Sequence, residues 1–188
     1  SEIRGVSTDT RTLAAGNLFV AIKGPRFDGH EFLNAAFRKG AAAALVSRIP
    51  PRTAAGPPLL CVRDTADALR ALAANYRLSV DAKVIAVTGS VGKTTVKEMI
   101  AEVMSLVGPT ARTPGNWNNE FGLPLSLLAM EESARFGVFE AGMNHPGELG
   151  ALCKMLSPDW GVITAIAPVH LEFFDSVRSI AMEKSALL

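Results

Sequence analysis

The chain has 188 residues, 48% of them hydrophobic and 20% charged, an ordinary globular balance that argues against disorder and fits one or two domains. Nineteen Lys and Arg against eighteen Asp and Glu leave a net charge of +1. No global field therefore draws in nucleic acid or an acidic membrane, and any polyanion site is local.

The first predicted element is the apolar, β-rich run NLFVAI, residues 17–22, read as a short buried strand. HEFLNAAFRKG follows with helical spacing of Phe32, Ala35, Ala36 and Lys39, and Gly40 stands where a C-cap glycine belongs. AAAALVS, residues 41–47, and LLCV, residues 59–62, read as strands, and the Pro- and Gly-rich stretch between them as a surface loop. Asp64 is placed to cap a helix with Leu69, Leu72, Ala73 and Tyr76 on one face. This β-α-β-β-α order predicts a small α/β domain over residues 1–81.

KVIAVTG then reads as a strand with both faces covered. Residues 93–107 form a helix stopped by Gly108 and Pro109, and GLPLSLLAM a helix with Pro124 in its first turn. RFGVFEAG is a strand, GELGALCKML a helix and DWGVITAI a strand, and Ser176 caps a last helix, VRSIAMEKSALL. Alternating strands and helices predict a mainly parallel, doubly wound sheet over residues 82–188. The helix at Leu188 lacks a following strand, which suggests an N-terminal piece of a longer protein, and the start at Ser1 suggests processing or excision. Cys61 and Cys153 lie far apart in apolar runs, which predicts buried thiols in a reducing compartment. No apolar run approaches the roughly 20 residues of a membrane span and no signal-peptide pattern opens the chain, so a cytoplasmic location is expected.

The strongest chemical signal is Thr88-Gly89-Ser90-Val91-Gly92-Lys93-Thr94-Thr95, between a buried strand and a helix. A glycine-rich turn aims backbone N–H groups into one cavity, and the helix N-terminus adds partial positive charge. Lys93 can reach β- and γ-phosphates and Thr94 can ligate Mg²⁺. Val87 occupies the first glycine position of the GxxxxGK[ST] rule, so the loop is a shorter GxxGKT. The alternative is a βα turn followed by an exposed lysine.

Glu140 and His170 each follow a strand, at the sheet edge where ligands bind in open α/β folds. They are candidate metal ligands, against a solvated carboxylate and a hydrogen-bonded loop residue. Asn116, Asn118 and Asn119, and further on Asn144 and His145, offer polar contacts or merely turns and caps. Trp117 and Trp160 read as packing residues.

The segments TGSVGKTT, TPGNWNNEFGLPLSLL, EAGMNHPGEL and IAPVHLEFFDS with AMEKSALL together resemble the Mur ligases of bacterial cell-wall synthesis. The block STDTRTLAAGNLFVAIKGPRFDGHEFLNAAFRKGAAAALVS is similar to the family's first domain. The resemblance covers nearly the whole chain. Within the family it favours the branch that adds D-Ala-D-Ala over the diamino-acid-adding branch.

The resemblance implies an ATP- and Mg²⁺-dependent amide ligase that joins UDP-MurNAc-tripeptide to D-Ala-D-Ala through an acyl phosphate. It implies a monomer with no nucleic-acid or membrane partner. Gly89, Ser90, Val91, Gly92, Lys93, Thr94 and Thr95, with Asn119, would hold the nucleotide. Thr94, Glu140, His170 and Lys184 would hold metal. Lys184 matches the family's carbamylated lysine; a solvent-facing lysine paired with Glu183 is the alternative. Lys93, His170 and Lys184 would be catalytic. Ser7, Thr10, Arg11 and Asn144 would bind substrate, with Asp9 as a structural partner of Arg11 in the alternative. The family has three domains, so this chain alone is expected to have no ligase activity. A P-loop kinase and a non-catalytic nucleotide-binding module remain alternatives from other classes.

Overall fold

In the computed structural model, residues 2–25, 27–49 and 56–188 are described. The chain divides into two compact units, Ser1–Ala71 and Leu72–Leu188. Part of the Pro- and Gly-rich loop expected after residue 47 lies outside the described residues.

The first unit carries β1 (Gly5–Ser7), β2 (Asn17–Val20), a 3₁₀ turn, α1 (Leu33–Arg38), β3 (Ala43–Val46) and β4 (Leu59–Cys61). Its strands form one parallel sheet in the order β1-β2-β3-β4. Phe19, Ala21, Leu33, Ala36, Ala44 and Val46 fill the core between sheet and helix. Gly40 takes φ +88° just past α1, as a C-cap glycine should. Cys61 is exposed, against expectation, because β4 is an edge strand with two outward residues.

The helix α2 (Thr65–Ser79) contains the division between the units. Asp64 Oδ1 caps it, accepting from the N–H groups of Ala66 and Asp67.

The second unit contains β5 (Lys83–Thr88), α3 (Lys93–Ser105), β6 (Thr110–Arg112), α4 (Gly122–Leu128), β7 (Phe136–Glu140), α5 (Glu148–Leu156), β8 (Trp160–Ile163) and α6 (Val177–Lys184). All its strand pairs are parallel, in the order β6-β7-β5-β8. One sheet face packs Val84, Ala86 and Phe139 against α4, α5 and neighbouring residues, the other Ile85, Val87 and Val138 against α3. That is why β5 and β7 read as unbroken apolar runs. Ser176 and Ser179 form a reciprocal capping box at the start of α6. Cys153 is buried among apolar neighbours, which push its thiol pKa up to about 11.

Strand order reverses at β5. The chain steps outward to β6, returns to β7 beside β5, then crosses to β8 on the other side. The carboxyl end of β5 is thus a topological switch point, flanked by the ends of β7 and β8. Both tryptophans expected to pack are exposed: Trp160 lies on the edge strand β8 and Trp117 in the loop before α4. No helix of the described residues is long and apolar enough to cross a membrane.

Candidate functional site

The site grows from the end of β5. Thr88 is fully buried there, and residues 89–92 turn the chain into α3. Gly89 has φ +152°, and a Cβ on it would stand 2.0 Å from Thr164 Oγ1, so the loop requires glycine. The loop is pinned to the segment after β8. Ser90 N donates to Ala165 O (2.8 Å), Ser90 Oγ donates to Ala167 O (3.1 Å) and accepts from Ala167 N (3.0 Å). Thr164 Oγ1 donates to Val91 O (2.6 Å).

Gly92, at φ +82°, is the N-cap of α3, and nothing lies within 4 Å of where its Cβ would be. Among the described residues no side chain caps this helix. Its first N–H groups are therefore left for an anion, with the helix dipole behind them. Lys93 Nζ folds back over the loop and donates to Gly89 O (2.9 Å). Thr95 is exposed on the same first turn.

Glu140 ends β7 and is 1% exposed. Thr94 Oγ1 donates to its Oε2 (2.7 Å) and Asn118 Nδ2 to its Oε1 (2.6 Å), while its own N–H donates to Thr113 Oγ1 (2.9 Å). Every one of these partners is neutral, and among the described residues no Lys or Arg pairs with it. A buried carboxylate without a counter-charge is costly, and a bound cation relieves that cost. Hydroxyl and carboxylate oxygens are the donors that Mg²⁺ takes, so Thr94 and Glu140 fit such an ion. The buried Thr88 Oγ1, at the end of the neighbouring strand, has no hydrogen-bond partner among the described residues.

His170 lies in the loop after β8 in a left-handed conformation, φ +56°. Its backbone carbonyl accepts from Phe173 and Phe174, and its ring makes no hydrogen bond with Thr94 or Glu140. Among the described residues no group of three or more His, Cys, Asp or Glu gathers to hold a metal.

Lys184 is buried at the end of α6 rather than solvent-facing. Burial first, and then the charge of Lys93, lower its pKa from the ordinary 10.5 to about 8, with Glu183 opposing. The Glu183 carboxylate accepts from Gly147 N (2.9 Å) and Leu149 N (3.1 Å), so it caps α5.

Asn119 caps too, its Oδ1 accepting from Phe121 N and Gly122 N ahead of α4. Asn144 is exposed and its N–H donates to Glu148. His145 pairs with the same carboxylate, which lies below its usual range through hydrogen bonds from Asn144 and His145 that outweigh burial.

In the first unit, Thr8, Asp9, Thr10, Arg11, Phe19, Phe27, Gly29 and Phe32 line a cavity of about 480 Å³. Asp9 grips the exposed Arg11 with both carboxylate oxygens, and these hydrogen bonds hold Asp9 below the usual carboxylate range. Ser7 is buried, its hydroxyl donating to Asp9 O and accepting from Asp9 N. It shapes the turn that presents Thr10 and Arg11.

Sequence reading passed over Lys97 and Thr113, and left Asn118 among several amides. Lys97 is fully buried and donates to Thr113 O (2.7 Å) and Gly115 O (3.2 Å). Its position four residues after Lys93 was the available signal.

The Mur ligase middle-domain family matches residues 87–188, and the model described as Mur ligase family, catalytic domain, matches residues 2–77. The chain is 42% identical over 186 residues to the UDP-N-acetylmuramoyl-tripeptide–D-alanyl-D-alanine ligase of Bacillus subtilis (strain 168), covering 99% of this chain and 41% of that protein. Its fold matches the crystal structure of MurF from Acinetobacter baumannii with a TM-score of 0.91 and 38% identity, covering 100% of this chain and 41% of the other. MurF ligase from Thermotoga maritima in complex with ADP matches with a TM-score of 0.86 and 35% identity, covering 98% and 42%. The chain thus spans about 41% of the length of this curated relative. It belongs to the Mur ligase family.

Proposed function

We propose that this chain is the substrate- and ATP-binding part of an ATP-dependent amide ligase of peptidoglycan precursor synthesis. That ligase joins D-Ala-D-Ala to UDP-MurNAc-tripeptide, acts in the cytoplasm as a monomer, and needs no nucleic-acid or membrane partner. Residues 1–81 take the UDP part of the substrate, with Thr10 and Arg11 at the cavity and Ser7 holding their turn. Residues 82–188 take ATP. The relatives' names and the cavity beside Arg11 support this division.

One observation carries the reading. The Glu140 carboxylate is buried among neutral partners and hydrogen-bonded to Thr94, in the first turn of a helix whose N-terminus no side chain among the described residues caps.

In the proposed reaction the tripeptide carboxylate attacks the γ-phosphorus, giving an acyl phosphate and ADP. The dipeptide amine then attacks the acyl carbon and phosphate leaves. The attacking carboxylate and ATP are both anionic. Of the turn from Gly89 to Thr95, the N–H groups other than that of Ser90, which is bonded to Ala165 O, bind the phosphates, and the Lys93 ammonium leaves Gly89 O to offset the charge that develops on them. Thr94 and Glu140, with His170 from the loop after β8, would hold Mg²⁺, which when bound supplies charge neutralisation at the phosphates. Lys184, its pKa drawn down to about 8, has a free-amine fraction at neutral pH and adds CO₂, losing a proton, to become an anionic carbamate. Asn119 contacts the nucleotide and Asn144 the substrate.

Calorimetric titration of the chain with ATP–Mg²⁺ and with UDP-MurNAc-tripeptide, separately, tests this. Saturable heat with each ligand is expected. No binding of ATP–Mg²⁺ overturns the ATP site, and no binding of the UDP compound overturns the substrate assignment.

A further inference from the structure

Lys97 is a buried cation that touches no proposed ligand. It is 0% exposed on α3, one turn beyond Thr94. Its ammonium has three N–H donors and three partners: Thr113 O at 2.7 Å, Gly115 O at 3.2 Å and Glu98 Oε1 at 2.6 Å. An apolar side chain of similar volume would fill that space without the cost of burying a charge. The contacts it makes give the reason for a lysine.

Both carbonyls belong to the segment between β6 and α4, and that segment holds Glu140. Thr113 offers its carbonyl to Lys97 and its hydroxyl to Glu140 N (2.9 Å). Asn118, three residues past Gly115, donates to Glu140 Oε1 (2.6 Å) and accepts from Gly142 N through its carbonyl (2.8 Å). Meanwhile Thr94 on the same helix donates to Glu140 Oε2. Helix α3 therefore grips the carboxylate from two sides, directly through Thr94 and indirectly through Lys97 and the 113–118 segment. The charge of Lys97 is answered by Glu98, not by Glu140. Glu140 is thus held in place by neutral groups.

We propose that Lys97 is a positioning residue for the Glu140 carboxylate, acting through Thr113 and the Gly115–Asn118 turn to set the oxygen that takes a divalent ion. This rests on the reading that Thr94 and Glu140 hold Mg²⁺. Ligand-orienting partners of this kind usually change metal affinity by roughly 10- to 100-fold when removed.

The test uses the 188-residue chain and its Lys97→Met variant. Mn²⁺ binding is followed by electron paramagnetic resonance, and ADP binding is titrated with EDTA and again with Mg²⁺. The expected result is Mn²⁺ binding weakened roughly tenfold or more, with ADP affinity in EDTA unchanged. The enhancement of ADP binding by Mg²⁺ shrinks in step. A purely architectural lysine would lower the melting temperature and leave Mn²⁺ affinity intact, and that result overturns the proposal alone. A parent chain that binds neither Mn²⁺ nor Mg²⁺–ADP overturns the underlying metal reading as well. If Lys97→Met does not fold, Thr113→Val decides. It keeps both carbonyls for Lys97 but cuts the hydroxyl link to Glu140, so Mn²⁺ binding weakens. Unchanged binding overturns the proposal.

Discussion

The Thr94 hydroxyl donates to Glu140 Oε2 across 2.7 Å, tying the first turn of α3 to the last residue of β7. Two oxygens suited to one hard cation thus face each other at the strand switch point. The hydrogen bond between them is the interaction that such a cation replaces.

Glu140→Gln separates charge from shape. The amide keeps an oxygen for Asn118 and gives Thr94 a donor, while the uncompensated buried charge is lost. The metal-free variant should therefore be as stable as the parent or more so, by about 1 kcal/mol. Its Mg²⁺-dependent nucleotide binding should be lost. Thermal melts in EDTA and titrations in Mg²⁺ check both halves. A marked loss of stability in EDTA would show that the carboxylate is structural.

The two loop glycines should respond differently to alanine. At Gly92 the new methyl group enters open space, so only the left-handed backbone is penalised, by about 1 kcal/mol. The variant folds, but its first-turn N–H groups shift with the strained backbone, and ATP binding falls. At Gly89 the methyl collides with Thr164 Oγ1 and crowds the Ala165 backbone N at 3.1 Å. A larger loss is expected there, of order 2–3 kcal/mol. Denaturant unfolding of the two variants should rank them in that order.

Lys184 gives stability a pH dependence. Its folded pKa of about 8 lies below the ordinary 10.5, so the unfolded chain holds more protons between those values. This group's contribution therefore improves as pH rises from about 8 to 10.5. Below that window both states are protonated and the folded chain bears the full cost of a buried ammonium. Lys184→Met should be more stable than the parent at pH 7, by on the order of 1–3 kcal/mol. The advantage should shrink toward pH 10. Urea unfolding at the two pH values, in bicarbonate-free buffer, checks this; a gap independent of pH would contradict it.

Much of this site was legible because the signals are local. The phosphate loop is contiguous, and Glu140 announces itself by ending an apolar run. Asp64, Gly40 and Ser176 cap where their residue types suggest. The strands β1 and β6 were missed because three residues, GVS and TAR, show no period; they are strands through their pairing with β2 and β7. Cys61 and Trp160 looked buried because apolar type says nothing about whether a strand is at an edge. Lys97 drew no reading from the sequence, because nothing in the neighbouring residue types marks that lysine as buried. Its burial follows from the turn after β6 folding over α3, which only the tertiary structure reveals. Asn118 and Asn119 are adjacent and alike in type, yet one holds Glu140 and the other caps α4. Composition could not tell them apart.

The central claim is that the turn from Gly89 into α3 binds polyphosphate. Calorimetric titration of ATP–Mg²⁺ into the parent chain and into Lys93→Ala tests it most directly. The Lys93 ammonium rests on the Gly89 carbonyl at the surface of the loop, so the fold should survive and the melting temperature should hardly move. Affinity should fall by roughly tenfold or more, the loss expected for a charge-assisted contact to phosphate. An undiminished affinity in the variant would contradict the account.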